Sequence, residues 1–180
     1  MSRLITSAAL FAAQAHQDQT RKDGVAPYIN HVLEVADLVA CAEAGEIEIA
    51  SALLHDVVED SETGVNEISR RFGPRVAQIV DGLTDDPAWE ELPRPERKAL
   101  QAEHMARATQ SVRLIKIADQ TSNLRDLVRL PKGWTRREAA DYIAGAKRVV
   151  DACRGASPFL EVTFDNAVAE AMQKIEEFPS

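Results

Sequence analysis

Cysteine is nearly missing from this chain of 180 residues: Cys41 and Cys153 stand far apart, with no spacing that suits a metal. That excludes a thiolate zinc module and a disulfide-stapled scaffold, and it fits a reduced, cytoplasmic protein. Aromatic residues make up only 5% of the chain, and no stretch alternates apolar with polar residues as a half-buried strand does. Basic residues are the minority charge, 21 Lys and Arg against 29 Asp and Glu, for a net charge of −8. A nucleic-acid or anionic-membrane surface needs the opposite balance, so neither is expected as a partner. A small phosphorylated ligand needs only a local basic cluster and stays open. No apolar run is long enough to cross a bilayer. Leu4 to Ala15 is superficially leader-like, but Leu4, Ala8, Phe11, Ala12 and Ala15 fall on one helical stripe, which predicts a helix that stays with the protein.

What remains is 45% apolar content, rich in alanine, in segments with helical period. The expectation is an all-α fold, one helical bundle forming a single domain over residues 1–180. Helices are expected over about 3–19, from about Tyr28, through the segment that carries His55-Asp56, over 65–72 and 74–83, and then at about 95–109, 112–130, 135–153 and 158–178. Gly73 reads as a stop signal, Thr135-Arg136-Arg137-Glu138 as a capping box, and Ser157-Pro158 as a cap followed by a first-turn proline. Residues 84–95 read as an irregular loop.

The chemistry concentrates in His55-Asp56-Val57-Val58-Glu59-Asp60, which follows the apolar run Ile49 to Leu54. On a helix, positions four apart share a face, so His55 is expected over Glu59 and Asp56 over Asp60. Pro27-Tyr28-Ile29-Asn30-His31 adds a second imidazole, and Leu114-Ile115-Lys116-Ile117-Ala118-Asp119 delivers another carboxylate at the end of an apolar run. Two imidazoles and two carboxylates, His31, His55, Asp56 and Asp119, suit a divalent ion of intermediate hardness: manganese, iron or zinc. Four protein ligands on a six-coordinate ion leave room for water and for a substrate oxygen, which is a catalytic arrangement. Glu59 and Asp60 then stand one turn away, placed for acid/base work.

Read in order, His31, His55-Asp56 and Asp119 resemble the H…HD…D pattern of the HD-domain metal-dependent phosphohydrolases. With Arg21-Lys22-Asp23-Gly24, Ala52-Leu53-Leu54, Glu59-Asp60, Phe72-Gly73, Leu83-Thr84-Asp85-Asp86 and Asn123-Leu124-Arg125-Asp126-Leu127, the chain resembles the hydrolase domain of RelA/SpoT homologues, especially the stand-alone small alarmone hydrolases of metazoan SpoT-homologue type. The likeness runs from about Ala8 to Leu160. It implies a manganese-dependent 3′-pyrophosphohydrolase that converts (p)ppGpp to GDP or GTP and pyrophosphate, with Mn2+ on His31, His55, Asp56 and Asp119 and catalysis by Glu59 and Asp60. It also implies nucleotide contacts from Arg21, Lys22, Arg94, Lys98, Asn123 and Tyr142. The family's long members carry synthetase and regulatory domains for which this length leaves no room, so degradation rather than synthesis is expected.

Departures bear on the substrate. Pro87 follows Asp86 where relatives often have a basic residue, Gln120-Thr121-Ser122 replaces a basic-aromatic stretch, and Glu138 stands where some relatives carry arginine. An adenosine alarmone such as (p)ppApp, or the 2′-phosphate of NADPH, is the alternative substrate, and a nucleotide sensor without catalysis is the alternative class. His104 matches no motif, and Trp89 and Trp134 read as loop anchors.

Overall fold

Apolar stripes at helical spacing dictate helices almost throughout, and the computed structural model shows them over its described residues, 2–21, 24–129 and 134–179. No strand occurs among these residues; a single antiparallel bridge, Thr20 to Pro27, closes the loop before the second helix. The chain divides into two units, residues 1–21 with 25–85, and residues 22–24 with 86–180.

The first unit contains α1 (Arg3–Ala15), α2 (Ile29–Cys41), α3 (Glu46–Leu53), the single turn α4 (Val57–Asp60), α5 (Val65–Phe72) and α6 (Pro74–Leu83). α3 is its hub, packing on α1, α2 and α6. Its last four residues, Ala50, Ser51, Ala52 and Leu53, are all buried, so no face is left for solvent. Alanine and serine there let neighbouring backbones approach, and Ser51 satisfies its hydroxyl on the Ile47 carbonyl at 2.8 Å. Val32, Val35, Ala36 and Val39 line the inner face of α2 as their spacing requires. Gly73 sits between α5 and α6 at φ +91°, a backbone region that side-chain-bearing residues rarely enter, which is why the chain turns there.

The second unit contains a 3-10 turn (Pro87–Trp89), α7 (Arg94–Met105), α8 (Gln110–Arg129), α9 (Arg136–Cys153) and α10 (Pro158–Ile175). α8 packs on both α9 and α10, and Ile115, Ile117, Ala118 and Leu124 are fully buried. α7 packs on α9, and Gly145 permits the close approach: a Cβ there would meet Lys98 Cγ at 3.1 Å. The capping box at Thr135 and Glu138 forms with both bonds, and Ser157 caps α10 ahead of Pro158.

Several helix ends need correction: α7 stops at Met105 and α10 at Ile175, short of the expected 109 and 178. α1 ends at Ala15, not Gln19, because His16 turns inward as its C-cap instead of extending the helix. The helix expected to carry His55-Asp56 also stops early, at Leu53, and the pair occupies a turn before α4. The reason is local. In a continuing α-helix the Ala52 carbonyl would meet the Asp56 N–H; here it accepts a hydrogen bond from His55 Nδ1 at 2.8 Å, and the flanking amides tighten to i−3 partners. The stripe of His55 over Glu59 is therefore not built: His55 is buried, whereas Glu59 and Asp60 lie at the exposed end of α4.

Candidate metal centre and acidic pair

Three of the four expected ligands come together in the first unit. His31 enters from the first turn of α2, His55 and Asp56 from the turn after α3, and their ligand atoms all lie within 4.8 Å of one another. Both imidazoles are almost wholly buried, at 3% and 2% exposure. His55 Nε2 stands 3.0 Å from Asp56 Oδ2, and His31 Nε2 stands 3.5 Å from the same oxygen.

The tautomer of His55 follows from its partner. A carbonyl only accepts, so His55 Nδ1 carries the proton that reaches Ala52, and in the neutral ring Nε2 is a lone pair. That lone pair faces a carboxylate oxygen across 3.0 Å. Two electron-rich atoms at that separation repel unless a proton or a cation lies between them. A buried site with imidazole nitrogens and a carboxylate oxygen this close fits a divalent ion, and the Nδ1 contact to a backbone carbonyl is the bracing that metal-bound histidines use.

Asp56 is held in place as well. Tyr28, just before α2, donates its hydroxyl to Asp56 Oδ2 at 2.7 Å. Burial works to raise the Asp56 carboxyl, but when the imidazoles are protonated the charge of His55, hydrogen bonds from His31 and His55 and the charge of His31 outweigh it and hold the group well below the usual carboxylate range. Asp60 goes the other way. Burial and the neighbouring Asp56 charge push its carboxyl up, only partly opposed by His16 and by a hydrogen bond from Tyr28. Two carboxyls one turn apart are thus driven in opposite directions, the pattern that separates an ionised ligand from a proton donor. Glu59 accepts a short hydrogen bond from the Asp85 amide at the end of α6.

Arg21 closes the same unit's site loop. Its guanidinium lies 5.1 Å from the centre of the Tyr28 ring, a cation–π contact, and its amide pairs with the Ala26 carbonyl at 2.8 Å. Lys22 lies outside the described residues.

The remaining candidates belong to the second unit. Asp119 is buried on α8, where it accepts from Asn123 Nδ2 at Oδ1 (2.6 Å) and from Gln120 Nε2 at Oδ2 (2.8 Å), with Lys116 Nζ 3.5 Å from Oδ2. Asn123 is thus on the carboxylate's own helix face, one turn on, as the i+4 spacing requires. Lys98 of α7 donates to Gln120 Oε1 at 3.1 Å, which fixes the amide so that its nitrogen points at Asp119. Gln120, noted in the sequence as a departure, here acts as a bridge between a cation and a carboxylate.

Arg94 lies 5.5 Å from the Trp134 ring centre and 5.4 Å from that of Tyr142, and the two rings meet edge to face at 5.3 Å. Trp134 is therefore part of an aromatic clamp on a guanidinium, a role beyond the loop anchor that its sequence context suggests. A cleft of about 420 Å³ beside it is lined by Arg94, Lys98, Glu138, Asp141 and Arg148. His104 is exposed and edge-on to Trp89 at 6.3 Å.

Three groups escaped the sequence reading: Tyr28 as a brace on Asp56, Lys116 beside Asp119, and His16. A lysine inside the apolar run of α8, three residues before the aspartate, was the available signal for Lys116. His16 gave none, because a lone histidine near the polar end of an expected helix is unremarkable.

Comparison with known proteins identifies relatives of the chain. The HD domain family profile matches residues 8–144. The chain is 44% identical over 168 residues to the Xenopus tropicalis guanosine-3′,5′-bis(diphosphate) 3′-pyrophosphohydrolase MESH1, covering 91% of this chain and 92% of that protein. It is 41% identical over 162 residues to the Homo sapiens protein of the same name, covering 87% and 88%. Among solved structures, one described as a metazoan ortholog of SpoT that hydrolyses ppGpp superimposes with a TM-score of 0.85 at 38% identity, covering 93% of this chain and 94% of that one. The chain belongs to the HD domain family and groups within it with the MESH1 proteins.

Proposed function

We propose that this chain is a manganese-dependent 3′-pyrophosphohydrolase that cleaves (p)ppGpp to GDP or GTP and pyrophosphate, as a cytoplasmic protein of one functional domain. The observation that carries this reading is the buried set of His31, His55 and Asp56, whose ligand atoms all lie within 4.8 Å of one another, close enough to share one cation. Support for the substrate comes from relatives that share more than 40% identity over nearly their whole length and bear that activity in their names.

His31, His55 and Asp56 would hold the ion, and Asp119 is proposed as the fourth ligand. The ion supplies Lewis acidity toward a phosphoryl oxygen and lowers the pKa of a water molecule. The chain supplies the rest. Ala52 and Tyr28 fix the donor atoms of His55 and Asp56, so little reorganisation is needed when charge develops. Asp60, whose carboxyl is pushed up by partial desolvation and by Asp56, is proposed to give a proton to the departing oxygen. Glu59, an acceptor fixed by the Asp85 amide, is suited to orient the attacking water. Arg21, Lys22, Arg94 and Lys98 are proposed to meet the phosphates, with Asn123 and Tyr142 on the nucleoside. Arg94 is pre-oriented by its two aromatic neighbours, which lowers the entropy lost when it grips an anion.

One observation favours testing a second substrate. Gln120 is neutral and committed to Lys98 and Asp119, so it offers no charge where relatives often place a cation. The experiment offers ppGpp, ppApp and NADPH to purified protein with manganese, magnesium or zinc and separates pyrophosphate from orthophosphate release. Pyrophosphate from ppGpp with manganese as the best ion is the expected result. Orthophosphate from NADPH at a higher kcat/KM would move the assignment to the 2′-phosphate, and turnover unchanged by chelation would remove the metal from it.

A further inference from the structure

His16 is a buried polar side chain that the site described above does not use. It is 1% exposed, and its Nε2 has no hydrogen-bond partner among the described residues. Were the position only for packing, an apolar ring would fill it without burying an unpaired nitrogen.

Its other nitrogen leads to the acidic pair. His16 Nδ1 lies 2.7 Å from Gln19 Oε1, and Gln19 Nε2 lies 2.7 Å from the main-chain carbonyl of Asp60. A carbonyl only accepts, so the Gln19 amide nitrogen must face Asp60 and its oxygen must face His16. Nδ1 is then the protonated nitrogen of the neutral ring, with no freedom left in the assignment. The ring also packs against Tyr28, centres 5.0 Å apart and planes 33° apart, and the Tyr28 amide is bonded to the Gln19 carbonyl at 2.9 Å. Tyr28 in turn holds Asp56.

We propose that His16 is a positioning residue for hydrolysis, its Nδ1–H orienting Gln19 to anchor Asp60 while its ring face seats Tyr28 against the ligand Asp56. This rests on the roles given to Asp60 and Asp56 under the proposed function. One buried ring thereby couples the end of α1 to both the acidic pair and the ion's carboxylate. Each of these links lies within the first unit.

Three variants separate the two arms. His16→Asn keeps a donor at the Nδ1 position, His16→Phe keeps the ring face without a donor, and Gln19→Met removes the amide at a half-buried site. With saturating manganese and ppGpp, His16→Phe and Gln19→Met are each expected to lose about 10- to 100-fold in kcat, the range found when an outer partner of a metal site is removed, with KM within about twofold. His16→Asn should recover to within about threefold of wild type, and the double variant should fall no further than either single one. Calorimetric manganese titration without nucleotide should find His16→Phe within about threefold of wild type, since Tyr28 keeps its seat. Nitrogen-15 NMR of the intact wild-type chain at about pH 8, above the ordinary imidazole range, should show His16 protonated at Nδ1. A proton on Nε2, full kcat in His16→Phe, or no recovery in His16→Asn each overturns the proposal. A wild-type chain that releases no pyrophosphate overturns the proposed function instead, and the NMR result then still decides the His16–Gln19 link.

Discussion

The Tyr28 hydroxyl sits 2.7 Å from Asp56 Oδ2, the oxygen that also faces both His31 and His55. A phenol from the start of one helix thus sets the direction of a carboxylate that follows another. Its hydrogen bond fixes the same oxygen that stands 3.0 Å from His55 Nε2 and 3.5 Å from His31 Nε2.

Removing that hydroxyl should loosen the site without unfolding it. Tyr28→Phe keeps the ring, so its packing against His16 and Arg21 survives. Manganese affinity should fall about tenfold, the usual cost of losing such a partner, with helical content unchanged. Isothermal titration of the metal-free protein reads this directly, and undiminished affinity would show that Asp56 is held by the histidines alone.

Asp60→Asn should trade activity for stability. The Asp60 carboxyl is raised in the folded chain, so the folded state binds its proton more tightly than the unfolded state does. Stability from this group is therefore greatest when it is protonated, and it declines as pH rises from the ordinary aspartate value of 3.8 through the raised folded value. The amide cannot ionise, so metal-free Asp60→Asn should melt higher than wild type at neutral pH and show no advantage below pH 3.8. Turnover should drop about 10²- to 10⁴-fold, as expected when an acid/base group is lost. Paired melting curves across pH check the sign.

The two thiols should differ in reactivity. Burial pushes the Cys153 thiol up to about 12, partly offset by Lys116 and Arg113, while Cys41 is exposed. A thiolate is the reacting species, so a disulfide reagent at neutral pH should label Cys41 rapidly and reach Cys153 only after denaturation. Two equally fast thiols would mean that the α9 end of the second core opens readily.

Substrate grip should depend on the clamp around Arg94. Tyr142→Ala removes one of its two ring faces, a cation–π contact of about 0.5–2 kcal/mol. KM for the preferred nucleotide should rise several-fold with kcat within about threefold, the signature of lost uniform binding. A fall in kcat alone would place Tyr142 with the reacting atoms.

Periodicity, caps and breakers were enough to read most of the helices, because the stripes of α2, α5 and α6 and the caps of α9 and α10 are decided by neighbours a few residues away. Local rules failed where a side chain outbid the backbone. Nothing in the apolar run Ile49 to Leu54 announces that His55 will capture the Ala52 carbonyl and stop the helix, and nothing in Gln14 to Gln19 announces that His16 will turn into the core.

Ligand chemistry was likewise written in residue types, since imidazole beside carboxylate has few uses in a buried segment. Which oxygen faces which nitrogen, which tautomer each ring adopts, and that Gln120 would join Lys98 to Asp119 were not. The chain alone determined that this is a helical protein bearing two histidines and acidic groups suited to a divalent ion, because composition and spacing act locally. Only tertiary structure decided that Tyr28, Gln19 and His16 would brace them, because a hydrogen bond between distant segments depends on angles and distances that no short-range pattern encodes.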